Sequence, residues 1–164
     1  MPSLTRRLLV AAALFAGLAT GATTATACPS YNNPTVFGSA NVAANFMPDP
    51  WARNVTAGGT VSLRNCGLDA PGFVVSRPDY RIQYNGVPGT GVLTIAVEAR
   101  SNVDTILLVN DPRGNWHFND DYNGSTNSAL TFTNPLQGQY DIWFGSYNRS
   151  SNNPAVLVLT ELPY

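Results

Sequence analysis

Apolar and polar residues alternate in short runs along most of this chain. Between Gly91 and Ala99, Leu93, Ile95 and Val97 fall on one face and Thr94, Ala96 and Glu98 on the other, the period of two that marks a half-buried strand. Thr60–Arg64, Asp79–Tyr84 and Ala129–Thr133 alternate in the same way, and Trp116–Phe118 gives a shorter run. Tyr140, Ile142 and Phe144 share a face opposite Asp141 and Trp143. Ala155–Leu162 sets Val156 and Val158 against Leu157 and Leu159. Thr105–Val109 is apolar throughout, the pattern of a strand covered on both sides. Asn85-Gly86, Pro88-Gly89, Asp111-Pro112-Arg113-Gly114, Asn123-Gly124 and Asn134-Pro135 supply the turn residues between runs. No run beyond the first 27 residues repeats apolar residues at helical spacing over three turns. The pattern predicts an all-β fold, a single antiparallel β-sandwich of jelly-roll type with about eight strands.

The N-terminal pattern differs. Arg6 and Arg7 precede an apolar run from Leu8 to Ala19, and Ala25-Thr26-Ala27 supplies small residues for cleavage. This predicts a signal peptide over residues 1–27 and a periplasmic or secreted protein. The run is shorter than the ~20 residues of a membrane-spanning helix, so no transmembrane segment is expected. Residues 28–59 read as an extended arm with at most one short strand, held by Phe46 and Trp51 and broken by Pro48, Pro50 and Gly58-Gly59. Residues 60–164 read as the sandwich. After residue 27 the chain carries seven Arg, no Lys and ten Asp or Glu, so it offers no basic footprint for nucleic acid. Cys28 and Cys66 are its two cysteines, and in an oxidising compartment they are expected to pair, closing a loop worth roughly 4 kcal/mol. Lipidation of Cys28 is the rival reading. Against it, Ala25 stands where a larger aliphatic residue is usual, and Cys66 would stay unpaired.

Candidate chemistry concentrates between Asp104 and Tyr147. That block holds five of the ten acidic residues, the sole histidine and two of the three tryptophans. Asn119-x-Asp121-x-Asn123-Gly124 matches the first half of an EF-hand loop, but the twelfth position is Leu130 where a bidentate Glu belongs. Zinc would need more nitrogen and sulfur ligands than His117 alone supplies. A catalytic triad would have to combine His117 with Asp104, Asp120 or Asp121 and a serine, and no serine stands in a nucleophile motif. Asp120 and Asp121 are neighbours on one strand, point to opposite faces, and would not flank a glycosidic bond. Tyr140 and Ile142 read as core. Trp116, Tyr122 and Tyr147 are candidates for a surface that binds a protein or a glycan.

The order of short motifs in this block resembles the bacterial pre-peptidase C-terminal domain. It runs Asp104-x-x-Leu107, Asn110-Asp111-Pro112-x-Gly114-Asn115, Asn119-Asp120-Asp121, Asn127-Ser128, Leu130-x-Phe132 and Gly138-x-Tyr140-x-Ile142-x-Phe144-Gly145. The likeness spans roughly Leu93 to Leu162. It implies a secreted β-sandwich accessory module. It also implies calcium ligands at Asp104, Asp111, Asp120 and Asp121, with carbonyl oxygens from Asn110 or Asn127. Asp and Asn also collect in turns without any metal, because they accept backbone hydrogen bonds there. The chain is expected to be an exported, non-enzymatic binding or accessory module standing without a peptidase domain. A peptidase-associated protein or weak serine-type hydrolase using His117 is the alternative.

Overall fold

The computed structural model describes residues 27–164 except Pro88, and only the backbone of Ser151, so the expected signal peptide lies almost wholly outside the described residues. Eight strands make up the body of two sheets. β2 (Trp51–Gly59), β11 (Ser150–Thr160), β6 (Val92–Ala99) and β9 (Ser128–Thr133) form one sheet in that order. β5 (Tyr80–Asn85), β10 (Gly138–Ser146), β7 (Thr105–Asn110) and β8 (Trp116–Asn119) form the central path of the other. β2 pairs with β11, β5 with β10, β6 with β9 and β7 with β8, all antiparallel. Four nested antiparallel pairs wrapped into two packed sheets make a jelly roll, as the sequence pattern predicts. Among the described residues no helix is long and apolar enough to cross a membrane.

The alternating positions meet between the sheets. Tyr80, Ile82 and Tyr84 of β5, Leu93, Ile95 and Val97 of β6, and Tyr140, Ile142 and Phe144 of β10 all enter one buried cluster. Each fully buried side chain of this size contributes about 1.5–3 kcal/mol.

Three further strands complete the fold: β1 (Ser39–Ala43), β3 (Val61–Ser62) and β4 (Phe73–Val74). β1 pairs with β5 in parallel, a departure from the fully antiparallel expectation. The chain allows it because β2, in the opposite sheet, lies within the connection between the two strands. The segment through β3, a 3-10 turn at Arg64–Cys66 and β4 lies over the outer face of the second sheet. There Val61, Leu63, Ala70 and Val74 pack on Ile106, Leu108 and Trp143. This lid explains why β7 is apolar on both faces. The Cys28–Cys66 disulfide fastens the lid to the N-terminal segment, and Cys28 therefore has no thiol left to carry a lipid.

One expected boundary moves. Residues 28–59 are not a plain arm: their last nine residues are β2, an edge strand of the first sheet with Val55 and Ala57 in the core. Its first residues leave Ala52, Arg53 and Asn54 in solvent, which blurs the strand signal in the sequence.

Candidate ligand-binding groove

β7 separates the expected calcium ligands. Asp104 precedes this strand and Asp111 follows it, which places their backbones roughly 20 Å apart at the usual strand rise. The six residues therefore cannot surround one ion. Among the described residues no three His, Cys, Asp or Glu side chains stand close enough together to hold a metal.

At the far end of β7, Asp111 organises the β7–β8 turn. Its Oδ1 accepts hydrogen bonds from the backbone N–H of Arg113 (2.8 Å) and Asn115 (2.9 Å). Its Oδ2 is 3.1 Å from the Asn115 Nδ2 donor and 2.9 Å from His117 Nε2. A carboxylate offers about four lone-pair sites, and all are occupied, so Asp111 has none to give a cation. Burial pushes its carboxyl up. The hydrogen bonds from His117, Asn115 and Arg113 outweigh that and hold it below the usual carboxylate range.

The same pair corrects the expected triad. The carboxylate that holds His117 is Asp111, not Asp104, Asp120 or Asp121, and no hydroxyl among the described residues bonds to the imidazole. The ring stands edge-on to Phe132 at 5.0 Å.

Asp111 also lines a groove of about 410 Å³ between the β7–β8 turn and the start of β10, together with Tyr31, Asn110, Gln137, Gln139 and Asp141. Asn110, Asp111 and Asp141 are among the few polar side chains buried in the protein. Asp141 faces Arg81 across the β5–β10 ladder and takes its Nε at 2.6 Å. Arg81 Nη2 continues to the carbonyl of Tyr31 at 2.6 Å, fixing the N-terminal segment beside the groove. The Tyr31 ring is 44% exposed there. Trp116 stands 6.4 Å from it and 5.2 Å from the buried Trp143. Of the expected aromatic surface, only Trp116 belongs to this end. Tyr122 packs against Tyr164 on the outer face of the first sheet, and Tyr147 follows β10 at the Asp104 end.

The Asp104 end has a different character. Burial raises the Asp104 carboxyl above its ordinary range, and the charges of Asp121 and Asp120 raise it further. Its Oδ1 is enclosed and accepts no hydrogen bond. Asn127 is occupied elsewhere, its Oδ1 accepting the Ala99 N–H at 2.9 Å. Asn110, at the opposite end, donates from Nδ2 to the Asn115 carbonyl.

Sequence reading missed Asp141, Gln139, Arg81 and Tyr31. Asp141 carried a faint signal: an acidic residue within an otherwise apolar run, on the face that the lid's own apolar residues cover farther along the strand.

No protein-family model matches the chain, and no curated protein matches it. Among solved structures it is similar to PliG of Aeromonas hydrophila, a periplasmic inhibitor of g-type lysozyme, at 16% identity and a TM-score of 0.34 over 75% of this chain and 96% of that one. Backbones that differ this much support no transfer of fold or role.

Proposed function

We propose that this protein is an exported, non-enzymatic binding module, in the manner of the accessory domains its central block resembles. The disulfide fits an oxidising compartment. The observation that carries the reading is the groove at the β7–β8 end, where three buried polar side chains border open space beside an exposed aromatic ring. Polar side chains fixed by their own hydrogen bonds along one groove supply the few oriented contacts that a ligand site uses. Its partner is an extracellular or periplasmic protein or glycan. Hydrolysis is disfavoured because the single histidine is spent on a turn carboxylate with no nucleophile bonded to it. Peptidase and esterase assays should give equal background rates for the native protein and His117→Ala. Turnover lost specifically in that variant would sink the non-enzymatic reading. The binding reading is tested by backbone-amide NMR during addition of cell-envelope extracts, with saturable shifts expected at the groove.

One observation favours a second, compatible feature at the opposite end. The enclosed Asp104 Oδ1 has no donor, and Asp120 and Asp121 add negative charge beside it. A hard cation such as calcium could be held by Asp104 alone among the carboxylates, with its other oxygens coming from backbone carbonyls and water. Calcium bound at Asp104 should raise the melting temperature, an effect abolished by chelator and absent in Asp104→Asn. Identical melts with calcium and with chelator would remove calcium from the account.

A further inference from the structure

We infer that the groove bounded by Tyr31, Asn110, Gln137, Gln139 and Asp141 takes a neutral saccharide, an inference that rests on the groove being the binding site. The amide orientations lead to this conclusion. Asn110 Nδ2 bonds to the Asn115 carbonyl, Gln137 Nε2 to the Gly86 carbonyl, and Gln139 Nε2 to Asp141 Oδ2. Each partner is an oxygen that only accepts, so the nitrogen must face it and the amide oxygen must face away. No donor among the described residues reaches any of those three amide oxygens. Asn110 lines the open groove, and its amide oxygen carries no hydrogen bond within the described residues. A ligand that donates several hydrogen bonds would satisfy this set.

Charge narrows the choice between donors. Arg81 already pairs with Asp141, and donated hydrogen bonds occupy the acceptor positions of Asp111, so neither carboxylate stands open for an ion pair with an ammonium or guanidinium group. An anion would meet two carboxylates with no free cation lining the groove. Hydroxyl groups need neither charge. They donate to amide oxygens, and the spare lone pairs of Asp141 Oδ2 can accept one more. Tyr31 presents an exposed aromatic face beside these acceptors, and such a face accepts the apolar C–H side of a pyranose ring. The Arg81 bond to the Tyr31 carbonyl holds that platform's backbone in place before a ligand arrives, which lowers the ordering cost of binding.

The test is a titration of the exported full chain, followed by backbone-amide NMR. The probes are oligosaccharides of glucose, galactose and N-acetylglucosamine, with n-butylammonium and inorganic phosphate as controls. At least one saccharide should shift the amides of Asn110, Gly114, Gly138 and Gln139 saturably. Tyr31→Ala and Gln139→Ala should each weaken it by about tenfold. Both side chains are exposed, and unchanged melting temperatures would show that the variants fold. The saccharide inference is overturned if no saccharide shifts these amides, if neither variant weakens binding, or if n-butylammonium reproduces the shifts. Envelope extract digested with glycosidases separates the two levels. Groove shifts that persist in its protein fraction keep the binding module and sink the saccharide, whereas no shift from any extract sinks both.

Discussion

Asp111 shows how one side chain can imitate a metal ligand in sequence and act as a turn organiser in space. It sits in an Asn-Asp-Pro-x-Gly-Asn motif, where an oxygen donor can serve a cation or cap its own turn, and the residue string does not distinguish them. The hydrogen bonds do, because four donors leave no vacancy. Hydrogen bonds to a charged acceptor contribute about 1.5–3 kcal/mol each, so Asp111→Ala should cost several kcal/mol even after relaxation of the turn. Asp111→Asn should be nearly as harmful, since its amide nitrogen would face donors. Chemical denaturation checks both, and a loss under about 1 kcal/mol in Asp111→Asn would contradict the turn-organising role. A buried Asp is legible in sequence as important. Its neighbours four and six residues on become partners only once the turn is drawn, so the residue string alone does not separate a calcium ligand from a turn organiser.

At the scale of elements, the strands that alternate were legible because period two maps directly onto a face buried against the opposite sheet. β6, β9 and β10 lie within a residue or two of where the pattern puts them. The lid was not legible. Val61–Val74 alternates too weakly to predict where it packs, and its clearest trace lies elsewhere, in the doubly apolar β7 that it covers. Two glycines admit it. A Cβ on Gly59 would stand within the Val74 carbonyl, and one on Gly145 would meet the Phe73 carbonyl and Ile106. The disulfide then secures the lid across 38 positions, so reduction should destabilise the protein by roughly 4 kcal/mol in the chain-entropy picture. The lid should loosen first, uncovering Trp143 and Trp116. Their fluorescence should move to longer wavelength at denaturant concentrations where far-ultraviolet dichroism is still native. A reduced protein that melts at the oxidised temperature would show that the lid holds by packing alone.

The whole molecule closes a seam that no local pattern announces. β5 pairs with β10 through Ile142 and β4 pairs with it at Ser146, leaving the Phe144 N–H between them without a strand partner. Asp79 Oδ2 accepts that N–H at 2.7 Å. The bond comes with a carboxyl that is 3% exposed, and burial raises it well above its ordinary range despite the Phe144 bond and the charge of Arg77. Asp79 and Asp104 are raised, so between the unfolded value of about 3.9 and their folded values the native state holds more protons than the unfolded one. Across that window stability falls as pH rises. Asp111 is lowered, so its contribution is complete above about 3.9 and is lost as pH falls through its folded value. These opposing slopes meet on the acid side, so these three groups favour the folded state more near the unfolded carboxylate value of about 3.9 than at neutrality. Asp79→Asn keeps an acceptor for Phe144 and removes the buried ionisation. Its melting temperature should match the native protein's near pH ~4 and exceed it at pH ~7.5. Calorimetry across that range decides the matter: parallel curves for the two proteins would mean that Asp79 carries its charge in the fold without penalty, and that the seam is held by an ionised carboxylate.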